Sequence, residues 1–235
     1  MKKLIITAMA LTCVAAVVSA DTVTSENVVG YNKKATQAGL QLLGMQFIGE
    51  TNATPKTIFG DTLPVGSKVF LYENDGAGGG GYVFATYVHP PMPPGAANKW
   101  DSEPIIDLGK GFWVQLPLGV SSTNTIISGD VLMTTSKVAN VLEGLQLIAN
   151  PYPYEIEIVD LDITPELGDK IFKYTNDGVG GGVYSFATYI HPPMPPGAAN
   201  KWDDESLTIG VGQGFWYQSA KSGTNTLVWA KPAGL

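Results

Sequence analysis

The chain has 235 residues, of which 14 are basic and 21 acidic, giving a formal net charge of −7. Every basic residue is lysine. Without arginine's bidentate fork, and with acid in excess, nucleic acid and anionic lipid are poor partners. The one cysteine, Cys13, excludes an intramolecular disulfide and a thiolate metal site.

Met1-Lys2-Lys3 is a short basic region, residues 4–18 are apolar, and Val18-Ser19-Ala20 supplies the small residues a signal peptidase needs. This is the pattern of a secretory signal peptide over residues 1–20, and the apolar run is too short to span a bilayer well. It predicts export to the periplasm, cell surface or extracellular space. Its removal takes away Cys13, Lys2 and Lys3 and leaves 215 residues, with 12 lysines against 21 acids. No later run reaches ~18 apolar residues, so no transmembrane segment is expected. The remaining length suits two domains of about 100 residues.

Residues 22–32 are read as the first strand and 39–47 as the second. Thr54-Pro55 starts a short helical turn ending near Gly60. From Gly66 to Glu103 the chain repeats itself at residues 168–205, with 29 of 38 positions identical. Within residues 66–74 the even positions are kept (Phe70, Tyr72, Asn74) and the odd ones change, Leu71 becoming Lys173. A period of two marks a strand with one constrained face, so Phe70 and Tyr72 are expected to face the core and Leu71 solvent. Asn74-Asp75-Gly76 and the glycines up to Gly81 mark a hairpin turn, with a second strand around Tyr82 and Phe84. Further strands are expected at 111–116, 125–132, 144–152, 214–218 and 226–230. Residues 129–143 form the junction. There is no long amphipathic helical pattern.

The expected fold is all-β: two tandem β-sandwich-like repeats, unit 1 over residues 21–128 and unit 2 over 129–235. Whether they form one fused sandwich or two packed domains is left open by the pattern.

Ser25-Glu26-Asn27-Val28-Val29-Gly30-Tyr31 follows the signal pattern. Gly144-Leu145-Gln146-Leu147-Ile148-Ala149-Asn150-Pro151 and Gly214-Phe215-Trp216 come later. In this order the chain resembles a group of uncharacterised secreted bacterial proteins with duplicated β units. The first copy departs from the pattern, with Leu43-Gly44-Met45-Gln46 where the second has Ile-Ala-Asn-Pro. The resemblance implies export and architecture, and it carries no catalytic residues and no cofactor.

His89 and His191 each precede Pro-Pro-Met-Pro-Pro-Gly, a stiff extended loop. No acid or nucleophile stands at a spacing that makes either a general base. A histidine–methionine copper site is the weaker reading beside a strand-end histidine. Trp100 and Trp202 follow that loop among amides and carboxylates, the residue types that bind a sugar by stacking and hydroxyl contacts. The candidate ligand-binding residues are therefore Tyr87, His89, Asn98, Trp100 and Asp101, with Tyr189, His191, Asn200, Trp202 and Asp203 in the second copy. The competing reading caps each core with its tryptophan. Trp113 and Trp216 are read as core. Asp101 with Glu103, and Asp203 with Glu205, are paired carboxylates on extended chain, weak as a glycosidase pair. Asp75 and Asp177 are read as turn residues rather than calcium ligands.

No catalytic constellation, metal site or phosphate loop is legible. The expected function is a non-enzymatic exported structural or interaction protein, with self-assembly or other surface proteins as partners. A carbohydrate-binding protein with one aromatic site per repeat is the alternative, and a secreted hydrolase the least favoured. An exposed Trp100 in a groove favours sugar; a buried one beside open strand edges or apolar patches favours assembly.

Overall fold

The computed structural model describes residues 28–49, 52–91, 95–193 and 198–233. Residues 1–20, the start of the first expected strand, and parts of both proline loops (92–94 and 194–197) lie outside the described residues.

The fold is all-β, with antiparallel pairing throughout. The first unit holds β1 (Val29–Thr36), β2 (Gly39–Gly44), β3 (Phe47–Ile48), helix α1 (Pro55–Phe59), β4 (Lys68–Asn74), β5 (Gly80–Val88), β6 (Lys99–Trp100), β7 (Gly111–Leu116) and β8 (Thr123–Val131). One sheet runs β1-β8-β3 and the other β2-β7-β4-β5-β6. Between them lies a core that includes Phe47, Phe59, Val69, Leu71, Trp100, Phe112 and Val131. The predicted helical turn forms because Thr54 caps it: Thr54 and Thr57 bond each other's backbone N–H reciprocally, Pro55 needs no donor there, and Gly60 ends it.

The second unit holds β9 (Ser136–Ala149), β10 (Ile156–Glu157), β11 (Asp162–Ile163), β12 (Lys170–Asn176), β13 (Gly182–Ile190), β14 (Lys201–Trp202), β15 (Thr208–Ile209) and β16 (Gly214–Ala230). Its main sheet runs β11-β16-β12-β13-β14, with β9 also on β16 and a small β10-β15 ladder beside it. Here β9 does the work of β1 and β2, and β16 that of β7 and β8. The β9–β16 ladder shifts register between Ser219 and Thr224, where the strands turn from one layer to the next. The expected strands 214–218 and 226–230 are thus one long strand. The second core includes Tyr152, Ile171, Trp202, Phe215, Tyr217 and Trp229.

Residues 129–143 are mostly strand rather than a junction. β8 continues to Val131, whose partners on β3 extend it past position 128, and β9 begins at Ser136. Only residues 132–135 connect the units.

The expected facing of β4 is reversed. Val69 and Leu71 are buried in their own unit's core. Phe70 and Tyr72 point the other way, into a third apolar cluster built on Leu42, Trp113, Leu147 and Trp216 from both units. Alternation shows that one face is constrained, not which face lies innermost, and here the other unit covers the outer face. Lys173 replaces Leu71 because its stem stays half-buried while Nζ donates to the Thr208 carbonyl at 2.9 Å.

Several contacts between units come in reciprocal pairs. Tyr72 meets Trp216 at 5.0 Å between centroids, and Tyr174 meets Trp113 at 4.9 Å, both edge to face. Gly44 N–H donates to Gly212 O at 3.0 Å and Ala149 N–H to Gly109 O at 2.8 Å. Isolated bridges join Leu43 to Gln213 and Lys110 to Ile148. Such mutual exchange defines an isologous, two-fold interface, here between two halves of one chain. The positive φ of Gly39 and Gly144 (both 85°) belongs to the same packing. A Cβ on Gly39 would lie 2.6 Å from Gly180 O, and one on Gly144 2.7 Å from Gly78 O.

Candidate functional site

The residues singled out for sugar binding do come together, and they are turned inward. Tyr87 pairs with Trp100 across β5 and β6, their rings 5.3 Å apart, and Phe59 closes on Trp100 at 6.2 Å. Trp100 is 6% exposed and Trp202 5%. Trp100 Nε1 donates to Gly60 O at 3.2 Å. Neither indole has an open face on which a sugar could stack; each tryptophan caps its own core.

The polar residues around them hold the loop. Tyr87 donates to Asp61 Oδ1 at 2.8 Å; burial, then that bond, push its phenol up. Tyr189 donates instead to Asn200 O at 3.3 Å. His89 Nδ1 lies 2.7 Å from Asn98 Oδ1, and His191 Nδ1 2.8 Å from Asn200 Oδ1. Asp101 Oδ1 accepts from Thr86 N–H and Asp203 Oδ1 from Thr188 N–H, both at 2.7 Å. The carboxylates are thus engaged with backbone, while Glu103 faces Lys56 at 3.8 Å and Glu205 faces Lys201 at 3.6 Å. In the hairpin, Asp75 Oδ1 accepts from Ala77 and Gly79 N–H, and Asp177 Oδ1 from Val179 and Gly181 N–H. Among the described residues no group of three or more His, Cys, Asp or Glu is placed to hold a metal.

The site that emerges instead lies between the two units. The β4–β5 and β12–β13 hairpins leave a cleft of about 490 Å³ lined by Leu40, Phe70, Tyr82, Phe84, Trp113 and Gln115 of the first unit and Tyr184 of the second. Tyr82 (55%), Phe84 (53%), Tyr184 (53%) and Phe186 (57%) are far more exposed than such rings usually are. They are held by neighbours rather than loose. Phe70 packs on Phe84 at 6.0 Å and Phe172 on Phe186 at 6.2 Å. Tyr72 meets Tyr82 at 5.3 Å and Tyr174 meets Tyr184 at 5.1 Å. Partial burial, then the neighbouring phenols, raise the pKa of Tyr82 and Tyr184, so both remain neutral donors. Chemically the cleft is an array of rigid aromatic faces with one amide, Gln115, and no ionised group lining it.

Identity at Phe70, Tyr72, Tyr82 and Phe84 across the copies was the sequence signal for this face. What it lacked was that the same strands' other face fills the cores.

No protein-family model matches the chain, and no curated protein and no solved structure matches it either. Among the described residues no helix is long and apolar enough to cross a membrane.

Proposed function

We propose that the chain is an exported, non-enzymatic structural or interaction protein that attaches through the aromatic face of its two hairpins. The observation that carries this reading is the set of four half-exposed rings, Tyr82 and Phe84 of the first unit and Tyr184 and Phe186 at the equivalent places of the second. Large apolar rings held this exposed mark an interaction site. The signal pattern of residues 1–20 supports export. The engaged state of Asp101, Asp203 and both histidines supports a structural rather than a catalytic role.

Fractionation of producing cells tests this reading. The protein should lie outside the cytoplasm and associate with the envelope or matrix, and a variant with serine at all four ring positions should wash free. A cytoplasmic protein, or a variant that partitions unchanged, would overturn it.

Carbohydrate binding is a second reading, favoured by one observation: the cleft offers ring faces beside Gln115, the combination that takes a sugar's apolar face and a hydroxyl. It moves the binding site from Trp100 and Trp202 to Tyr82, Phe84 and Tyr184. Titration of soluble polysaccharides against tryptophan fluorescence, reported by Trp113 and Trp216 beneath the cleft, should then saturate. Phe84→Ala/Tyr184→Ala should abolish the shift. No shift with any polysaccharide removes this reading.

A further inference from the structure

The outer edge of β5 is an open row of backbone groups. On one side β5 pairs with β4 over its first seven residues; on the other, among the described residues, its only ladder is with β6, at Tyr87 and Val88. Asp101 closes the next step, its N–H donating to Thr86 O at 3.0 Å and its Oδ1 accepting from Thr86 N–H. Ser102 Oγ reaches Phe84 O at 2.8 Å. Outward groups recur every second residue, so Thr86 and Phe84 set the phase, and the N–H and C=O of Tyr82 and Gly80 also point outward. Residues 80–84 are all exposed, as are 182–186 of β13, where Asp203 closes Thr188 in the same way. Edge strands are ordinarily blunted with charge, proline or a bulge. Neither β5 nor β13 carries a charged residue or a proline, and each pairs with its inner neighbour without a register shift.

We infer that the protein assembles with further copies of itself by antiparallel pairing of the β5 edge of one copy with the β13 edge of the next. This rests on the proposed function and names its partner. Between Gly80 and Phe84 the outward N–H and C=O groups can be complemented by another strand edge, and residues 182–186 of β13 in a second copy supply one with no charge to desolvate. Pairing of even-numbered residues with even-numbered ones also brings Tyr82 and Phe84 of one copy and Tyr184 and Phe186 of the next onto one face, where cross-strand aromatic pairs add stability. Each chain carries both edges, so growth can continue beyond a pair. The acidic surface opposes approach, and added salt screens it.

Sedimentation velocity of the purified protein, dilute and concentrated, at low and moderate salt, tests this. Species larger than the monomer should grow with concentration and with salt. Phe84→Pro/Phe186→Pro removes two outward N–H groups and should hold the protein monomeric with near-UV circular dichroism unchanged, whereas Phe84→Leu/Phe186→Leu should still assemble. If the proline variant does not fold, hydrogen exchange of the unaltered protein decides. The amides of Tyr82, Phe84, Tyr184 and Phe186 should slow by about tenfold or more in concentrated solution. A monomer at every concentration, or edge amides indifferent to concentration, overturns self-pairing. So does assembly that survives proline but is lost with leucine, since it would rest on the rings alone. If the monomer still associates with the cell envelope, only self-pairing fails; if that association is lost too, the proposed function fails with it.

Discussion

Asn74 and Asn176 reach in opposite directions across the interface between the units and make the same pair of bonds. Asn74 Nδ2 donates to Glu143 O at 2.7 Å and Leu145 O at 2.9 Å; Asn176 Nδ2 donates to Ala38 O at 3.0 Å and Leu40 O at 2.8 Å. Each Oδ1 meanwhile accepts from the glycine two residues on, fixing its own hairpin. One side chain therefore shapes the turn and clasps the other unit. Asn74→Ala should cost about 1–3 kcal/mol, since it removes three bonds and strips partners from two part-buried carbonyls. Asn176→Ala should cost a similar amount. Urea denaturation of each variant and of the double variant measures this.

Trp216 is 7% exposed and packs on Tyr72. Trp216→Ala should lose ~3–5 kcal/mol through the cavity it opens between the units. Trp113→Ala should match it, because the two positions are equivalent about the two-fold. A clear inequality in thermal or urea denaturation would break that equivalence.

Gly39 at φ 85° sits against the backbone of Gly180. Gly39→Ala places a methyl where no room exists and a side chain where the backbone disfavours one. Destabilisation of at least ~1 kcal/mol is expected, from the positive φ alone. Gly119 has a similar φ of 81° with open space around it, so Gly119→Ala should be milder.

Asp169 is fully buried and accepts from Tyr217 at 2.6 Å, Ala220 N–H at 2.6 Å and Glu166 N–H at 3.0 Å. In the first unit the corresponding residues are Ser67 and Val114. Burial, followed by the Asp169 bond and charge, pushes the Tyr217 phenol far above the ordinary tyrosine value. The unfolded chain then loses that proton first, near about pH 10. The contribution to stability is complete below that pH and is lost as pH rises towards the folded value. Urea denaturation across the alkaline range should show this decline, and Tyr217→Phe should make it shallower, the remainder coming from the other tyrosines with raised values. Asp169→Ser/Tyr217→Val should cost less than the two single changes added, because together they restore the first unit's pairing.

Much of the architecture was legible because its signals are local. The hairpins follow from Asn-Asp-Gly and flanking alternation, the helical turn from Thr54-Pro55, and β7 from Gly111-Phe112-Trp113. What could not be read was which partner each face meets. Phe70 and Leu71 are equally apolar, and only the placement of the second unit decides that Leu71 is core and Phe70 lines the cleft. Likewise Trp100 carries the composition of a sugar platform, amides and carboxylate included. Tertiary packing against Phe59 and Tyr87 turns it inward. The continuous strands β9 and β16 escaped notice because alternation weakens where a strand passes from one layer to the other, as it does around Ser219 to Thr224.

The exchange of contacts across the two-fold also governs how the chain reaches its native state. Asn74 meets carbonyls 69 and 71 residues away and Asn176 meets carbonyls 138 and 136 residues away. Closing such loops takes entropy before any bond repays it, which slows folding in proteins dominated by distant contacts. Neither hairpin tip is complete until both halves are present. Trp113 likewise gains its ring partner only once Tyr174 has been synthesised, so the outer face of the first unit is completed by the second.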